Sequence, residues 1–139
     1  MLFRSVPFHD SDDPEPINTW DFCRRNINFE NQIFIALLGH RYGWIPCPDQ
    51  LSSDERARGW TGLSILELEI RYAALDANSR RLPALFYARR DPPPASADPA
   101  ILAKYLDGDQ TRLQRLKTEI ARNFSLRSEE RRVGKECRL

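Results

Sequence analysis

The feature that most constrains this chain is a six-residue apolar run, Ile33-Phe34-Ile35-Ala36-Leu37-Leu38, closed by Gly39. It is far too short to span a membrane, and it is rich in β-branched and aromatic side chains. Such a run reads as a strand buried on both faces, and strands of that kind belong to parallel sheets held between helices. A second strand is expected over Leu82 to Ala88, entered through Pro83, which a strand start tolerates. Between the two lie a long loop, Gly39 to Gly62, and a helix pattern. Ser64 stands three residues before Glu67, the capping-box spacing, and Leu66, Ile70 and Ala73 or Ala74 follow as an apolar face running to about Asp76. Strand, loop, helix, strand makes one βαβ unit, right-handed by default.

Helices flank this unit. Thr19 is expected to cap a short one carrying Phe22, Cys23, Ile27 and Phe29. Asp98 with Pro99 opens another through about Leu106. Leu113, Leu116, Ile120 and Phe124 mark a last amphipathic helix, capped by Asp109 or Thr111. Residues 1–20 show no steady period, and Asp10 to Pro16 is turn or linker chemistry. At the other end, Arg127 to Cys137 resembles one reading frame of a translated sequencing-library adapter, so 127–139 is set aside as an artefact tail. The expected organisation is an irregular segment over 1–20, an α/β domain over 21–126 and that tail.

At 139 residues the chain has room for one domain. Its 21 basic and 20 acidic residues nearly cancel. The tail holds five basic and three acidic residues, so leaving it out takes the formal charge from +1 to −1. A chain so balanced has no field to steer nucleic acid or acidic lipid, which disfavours both as partners. Cys23, Cys47 and Cys137 form neither a metal-ligand spacing nor an even disulfide framework, and no metal site is expected. Reduced thiols point to a cytoplasmic protein.

The chemistry-bearing stretch is Gly39-His40-Arg41-Tyr42-Gly43-Trp44 at the carboxyl end of the first strand. Open α/β sheets place ligands there. Gly39 and Gly43 allow close backbone approach or positive φ, Arg41 suits an anion, and Tyr42 and Trp44 offer stacking faces. A purely structural turn uses the same residues. No Gly-Lys-Ser/Thr follows, so this is not a phosphate loop. Glu67 and Glu69 stand two apart, on different faces of one helix. Glu67 is assigned to the capping box, which leaves Glu69 as the candidate catalytic or ligand-binding carboxylate.

Three ordered motifs carry a family resemblance: Asn31 to Pro46, Leu63 to Ile70, and Ala84 to Pro92. Together they resemble the TIR-like domain of unknown function found ahead of NACHT ATPase modules. That domain occurs in telomerase-associated protein 1, in NACHT and WD-repeat proteins, and in nephrocystin-3-like proteins with tetratricopeptide repeats. The resemblance implies a partial flavodoxin-like or TIR-like three-layer α/β fold. Its parallel strands fall at about 32–38 and 83–88, with the first strands of such a domain missing. It implies a non-catalytic regulatory or protein-interaction module of a larger NTPase scaffold, binding proteins or copies of itself. Nucleotide belongs only to the absent NACHT module, so no cofactor is expected here. The alternative is a TIR-like NAD-cleaving N-glycosidic hydrolase with Glu69 as its carboxylate.

Overall fold

A computed structural model describes residues 18–28, 33–76, 82–93, 95, 98–124 and 126–128. In chain order these form α1 (Thr19–Ile27), β1 (Phe34–Leu38), α2 (Ser53–Ala57), α3 (Ile65–Ile70), β2 (Ala84–Ala88), α4 (Pro99–Tyr105), α5 (Gln110–Asn123) and β3 (Leu126–Ser128). A short 3₁₀ turn, Pro48–Gln50, precedes α2, and α3 continues as one wide π turn over Arg71–Leu75. The sheet order is β1-β2-β3, and both pairings are parallel, from Phe34 opposite Ala84 to Ala88 opposite Ser128. This is an α/β fold, with the two expected strands where the apolar runs placed them. β3 was not foreseen: it is three residues long, and its backbone takes in Arg127 and Ser128 from the segment set aside as a tail.

Helices α3 and α5 lie on one face of the sheet. Ile70 and Ala74 of the first, with Leu113, Leu116 and Ile120 of the second, close over Ala36, Leu38, Phe86 and Ala88. Each fully buried Leu, Ile or Phe here contributes about 1.5–3 kcal/mol of transfer free energy. Phe86 meets Phe124, the C-cap residue of α5, with ring centroids 5.0 Å apart and planes tilted at 47°. A second cluster joins Trp20, Leu51, Trp60 and Leu68, so α3 has an apolar stripe on each side. Trp20 meets Tyr72 edge-on, with ring centroids 5.9 Å apart and planes at 88°.

On its other face β1 is exposed, while Leu85 and Tyr87 of β2 are half-buried. Ile33, Ile35 and Leu37 alternate along β1 and are 62%, 51% and 64% exposed. The reading of β1 as buried on both faces is therefore corrected. A run without polar positions records compatibility with burial, but helices decide which face is covered, and both packed helices lie on the same side.

Caps also differ from expectation. Asn18, not Thr19, caps α1: its side chain accepts from Asp21 N at 2.9 Å and its amide donates to Gln50 O at 3.0 Å. Phe22 lies on the exposed side of that helix, where Trp20 is the buried residue, and Phe29 falls outside the described residues. The reciprocal capping box belongs to α2, in the loop between β1 and α3. There Glu55 N donates to Ser52 Oγ at 3.2 Å and Ser52 N donates to the Glu55 carboxylate at 2.8 Å. Glu55 also binds Arg24 at 2.8 Å, tying α2 to α1.

Candidate functional site

The loop leaving β1 turns inward at Tyr42, which is completely buried. Its hydroxyl donates to Glu67 Oε2 and accepts from Ser64 N at 3.3 Å. Glu67, equally buried, takes Arg71 Nε on its other oxygen at 2.8 Å. Arg71 then forms a bidentate pair with Glu119 of α5, at 3.1 and 2.8 Å. A chain of charge-assisted hydrogen bonds thus runs from the loop through α3 to α5. Burial, and then the bond to Glu67, pushes the Tyr42 phenol above its ordinary pKa. The wide turn of α3 begins at Arg71 itself, where Asp76 N reaches back to Arg71 O at 2.8 Å.

The capping-box assignment of Glu67 is corrected by this geometry. Ser64 Oγ does accept from Glu67 N, at 3.2 Å, but the Glu67 carboxylate turns to Tyr42 and Arg71. Tyr42 takes over its duty, since the phenol oxygen receives the Ser64 N–H.

Further bonds hold the loop from outside. Lys117 Nζ donates to Gly39 O at 2.8 Å, Gln110 Nε2 to His40 O at 2.6 Å, and His40 Nε2 to Asp91 O at 2.5 Å. Gly43 N donates to Asp107 Oδ2 at 2.9 Å from a φ of 102°, a conformation only glycine adopts without strain. Gly39 needs no such licence, since a Cβ there meets nothing within 4 Å. The Arg112 guanidinium lies 5.8 Å from the Tyr42 ring centroid. Of the five loop candidates, Tyr42 and Gly43 are structural members of the turn. Arg41 and Trp44 point outward at its rim, Trp44 54% exposed.

Glu69 is not brought to this loop. Two residues along α3 from Glu67, it lies about 200° around the helix and meets Cys23 of α1. Burial raises the pKa of its carboxyl. Burial and then the bond to Glu69 push the Cys23 thiol up to about 12, so it carries no nucleophilic thiolate near neutral pH.

Concavities offer little more. One, of about 550 Å³, follows the outer side of α5 past Gln110, Gln114, Thr118 and Arg122. A cleft of about 390 Å³ gathers Arg58, Arg71 and Arg115 beside Trp60. Arg58 is neutralised by Asp76 at 2.7 Å and Arg71 by Glu67 and Glu119, so the cleft lacks the excess charge an anion needs. Among the described residues no group of three or more His, Cys, Asp or Glu is placed to hold a metal ion. No helix among them is long and apolar enough to cross a membrane.

What stands out is a parallel α/β domain with a rigidly pinned strand-end loop and an open sheet face. The chain belongs to the DUF4062 family, a domain of unknown function, whose match covers residues 5–133. Searches of the curated proteins and of the solved structures found no match.

Proposed function

We propose that this domain is a non-catalytic protein-interaction module whose open sheet face receives an amphipathic helix of a partner protein. The observation that carries the reading is the row Ile33, Ile35 and Leu37, exposed on the face opposite α3 and α5. Parallel sheets are ordinarily covered by helices on both sides, so a helix with an apolar stripe is the complement. Two strands of five residues and one of three give a face on the order of 200 Å². That area is small beside the roughly 800 Å² per partner of a stable complex, so the expected Kd for a free helix is about 0.1–1 mM. Such a contact works inside an assembly, where tethering supplies the concentration. A larger NACHT-type scaffold with WD or tetratricopeptide repeats, which the sequence motifs suggest, is an assembly of that kind.

The test is an NMR titration of the ¹⁵N-labelled chain with a helical peptide carrying leucines at i, i+3, i+4 and i+7. Shifts should cluster on Ile33–Leu38 and Leu85–Arg89, and Leu37→Lys should abolish them. Shifts scattered over the surface, or unchanged by Leu37→Lys, would contradict the reading.

The alternative is an enzyme in which Glu69 stands as a carboxylate beside the nicotinamide ribose; burial, which raises its pKa, disfavours the charged form that role needs. Against it, Glu69 faces Cys23 on α1 while the strand-end loop engages Glu67. NAD cleavage by the purified chain that Glu69→Gln abolishes, with folding intact, would replace the docking reading.

A further inference from the structure

Between α2 and α3 the chain reads Arg56-Ala57-Arg58-Gly59-Trp60-Thr61-Gly62-Leu63, with arginines five and three residues before a threonine. Thr61 is exposed, and it sits in a turn where Leu63 N donates to Trp60 O at 3.2 Å. Gly62 has a φ of 82°, and Gly59, on the other side of Trp60, a φ of 78°. The left-handed backbone at Gly62 makes this a type II turn with Thr61 as its second residue. A Cβ on either glycine meets nothing within 4 Å, so the turn stands clear of the rest of the protein.

Its position sets Thr61 apart from other hydroxyls. Ser64, three residues on, is fully buried, and its Oγ caps α3. Thr118 also has an arginine three residues before it, Arg115, but it lies inside α5 and its hydroxyl donates to Gln114 O at 2.9 Å. Among the described residues, Thr61 alone joins exposure, a turn and two upstream arginines.

We propose that Thr61 is a phosphorylation site for a basophilic protein kinase, one whose carboxylates take arginines at the fifth and third positions before the acceptor. In an extended chain Arg56 and Arg58 project to the same side. Each guanidinium can then pair with a carboxylate through two parallel bonds. The Thr61 hydroxyl oxygen attacks the γ-phosphorus of ATP. A new O–P bond replaces the one to the bridging oxygen, ADP leaves, and the hydroxyl proton passes to the kinase's catalytic aspartate.

The kinase needs the segment extended, and α2 offers little resistance. It is a single capped turn of five residues. The backbone bonds that hold Arg58, Gly59 and Trp60 to it run to Asp54 O at 2.9 Å, Arg56 O at 3.0 Å and Glu55 O at 3.1 Å. Short exposed turns of this kind open far more readily than the whole domain. The product is also well placed. Arg112 Nη1 donates to Gly62 O at 2.7 Å, and Arg58 and Arg115 line the cleft beside Trp60 and Leu63. That cleft does not attract a free anion, but a phosphate of about −1.5 to −2 charge on Thr61 is held beside those guanidiniums by its own covalent bond.

Thr61 lies in the loop before α3, away from the exposed face of β1, so the docking reading and this site can fail separately. The test is incubation of the full 139-residue chain with ATP, Mg²⁺ and the catalytic domain of a kinase that selects arginine at those two positions, followed by mass-spectrometric peptide mapping. One phosphate, on Thr61, is expected. Arg56→Ala and Arg58→Ala should each slow the reaction by about tenfold, the loss of one charge-assisted contact. Any loosening of the turn would speed it, so a slower rate reports recognition. Leu38→Ala, which weakens the whole domain, should change the rate by less than about twofold. An unmodified chain, a phosphate on Thr118 or another residue, or a rate indifferent to both arginine substitutions would overturn the proposal. So would a rate that rises with Leu38→Ala in step with global unfolding, because Thr61 would then be reached only in the unfolded chain.

Discussion

Replacing Tyr42 by Phe separates a structural loop from a ligand-binding one. The phenol oxygen makes two buried bonds, donating to the Glu67 carboxylate and accepting from Ser64 N. The ring itself stays, so packing against Arg112 and the core is unchanged. A bond to a charged group is worth about 1.5–3 kcal/mol, and the Ser64 N–H left without a partner adds a desolvation cost of about 1–3 kcal/mol. Partial compensation between the two gives an expected loss of about 2–4 kcal/mol, a large share of a domain's roughly 5–15 kcal/mol. Urea unfolding followed by tryptophan fluorescence should show the midpoint falling by about 1–2 M with an unchanged slope. Adding Glu67→Gln should complete a double-mutant cycle with a coupling of about 1–3 kcal/mol. A Tyr42→Phe loss under about 0.5 kcal/mol would refute the reasoning, because a surface tyrosine awaiting a ligand behaves that way.

On the open face, Ile35→Lys and Leu37→Lys should each change stability by no more than about 0.5 kcal/mol, whereas Leu38→Ala, one residue along, should cost about 2–5 kcal/mol in the same urea experiment. Glu69 holds its proton more tightly folded than unfolded, so its contribution to stability is fully present below the ordinary carboxylate pKa and lost as pH rises through the raised folded value. The Glu69→Gln variant should therefore gain on the unaltered protein as pH rises above the ordinary carboxylate range, and a difference that does not change with pH in paired unfolding curves would contradict the burial argument. Thiol labelling read by peptide mapping should modify exposed Cys47 readily and Cys23 only on unfolding.

Much of the architecture was legible because local chemistry and tertiary packing agree. The runs at Ile33–Leu38 and Leu82–Ala88 became the paired strands β1 and β2, and Leu113, Leu116 and Ile120 face the core as their spacing implies. Other features depend on contacts the sequence does not display. Ser52 and Glu55 have the same spacing as Ser64 and Glu67, yet only the first pair forms a capping box. The difference is Tyr42, arriving from 22 residues away to occupy both Ser64 N and the Glu67 carboxylate. The Ser52 pair could have been found by the same motif in the middle of the presumed loop. Glu69 was chosen because Glu67 had a duty; both carboxylates prove to be engaged, on opposite sides of one helix. The exposed face of β1 was hidden for a different reason, since apolar side chains look alike whether a helix covers them or not. Three residues of β3 are too few to show a period.

The central claim, an apolar sheet face left open by this domain, is tested most directly by adding a soluble paramagnetic gadolinium chelate to protein with labelled Ile and Leu methyl groups. The methyls of Ile33, Ile35 and Leu37 should relax as fast as those of exposed surface residues, while Leu38, Ile70, Leu116 and Ile120 stay shielded. If Ile35 and Leu37 prove as shielded as Leu38, the face is already covered within the protein and the docking reading is wrong.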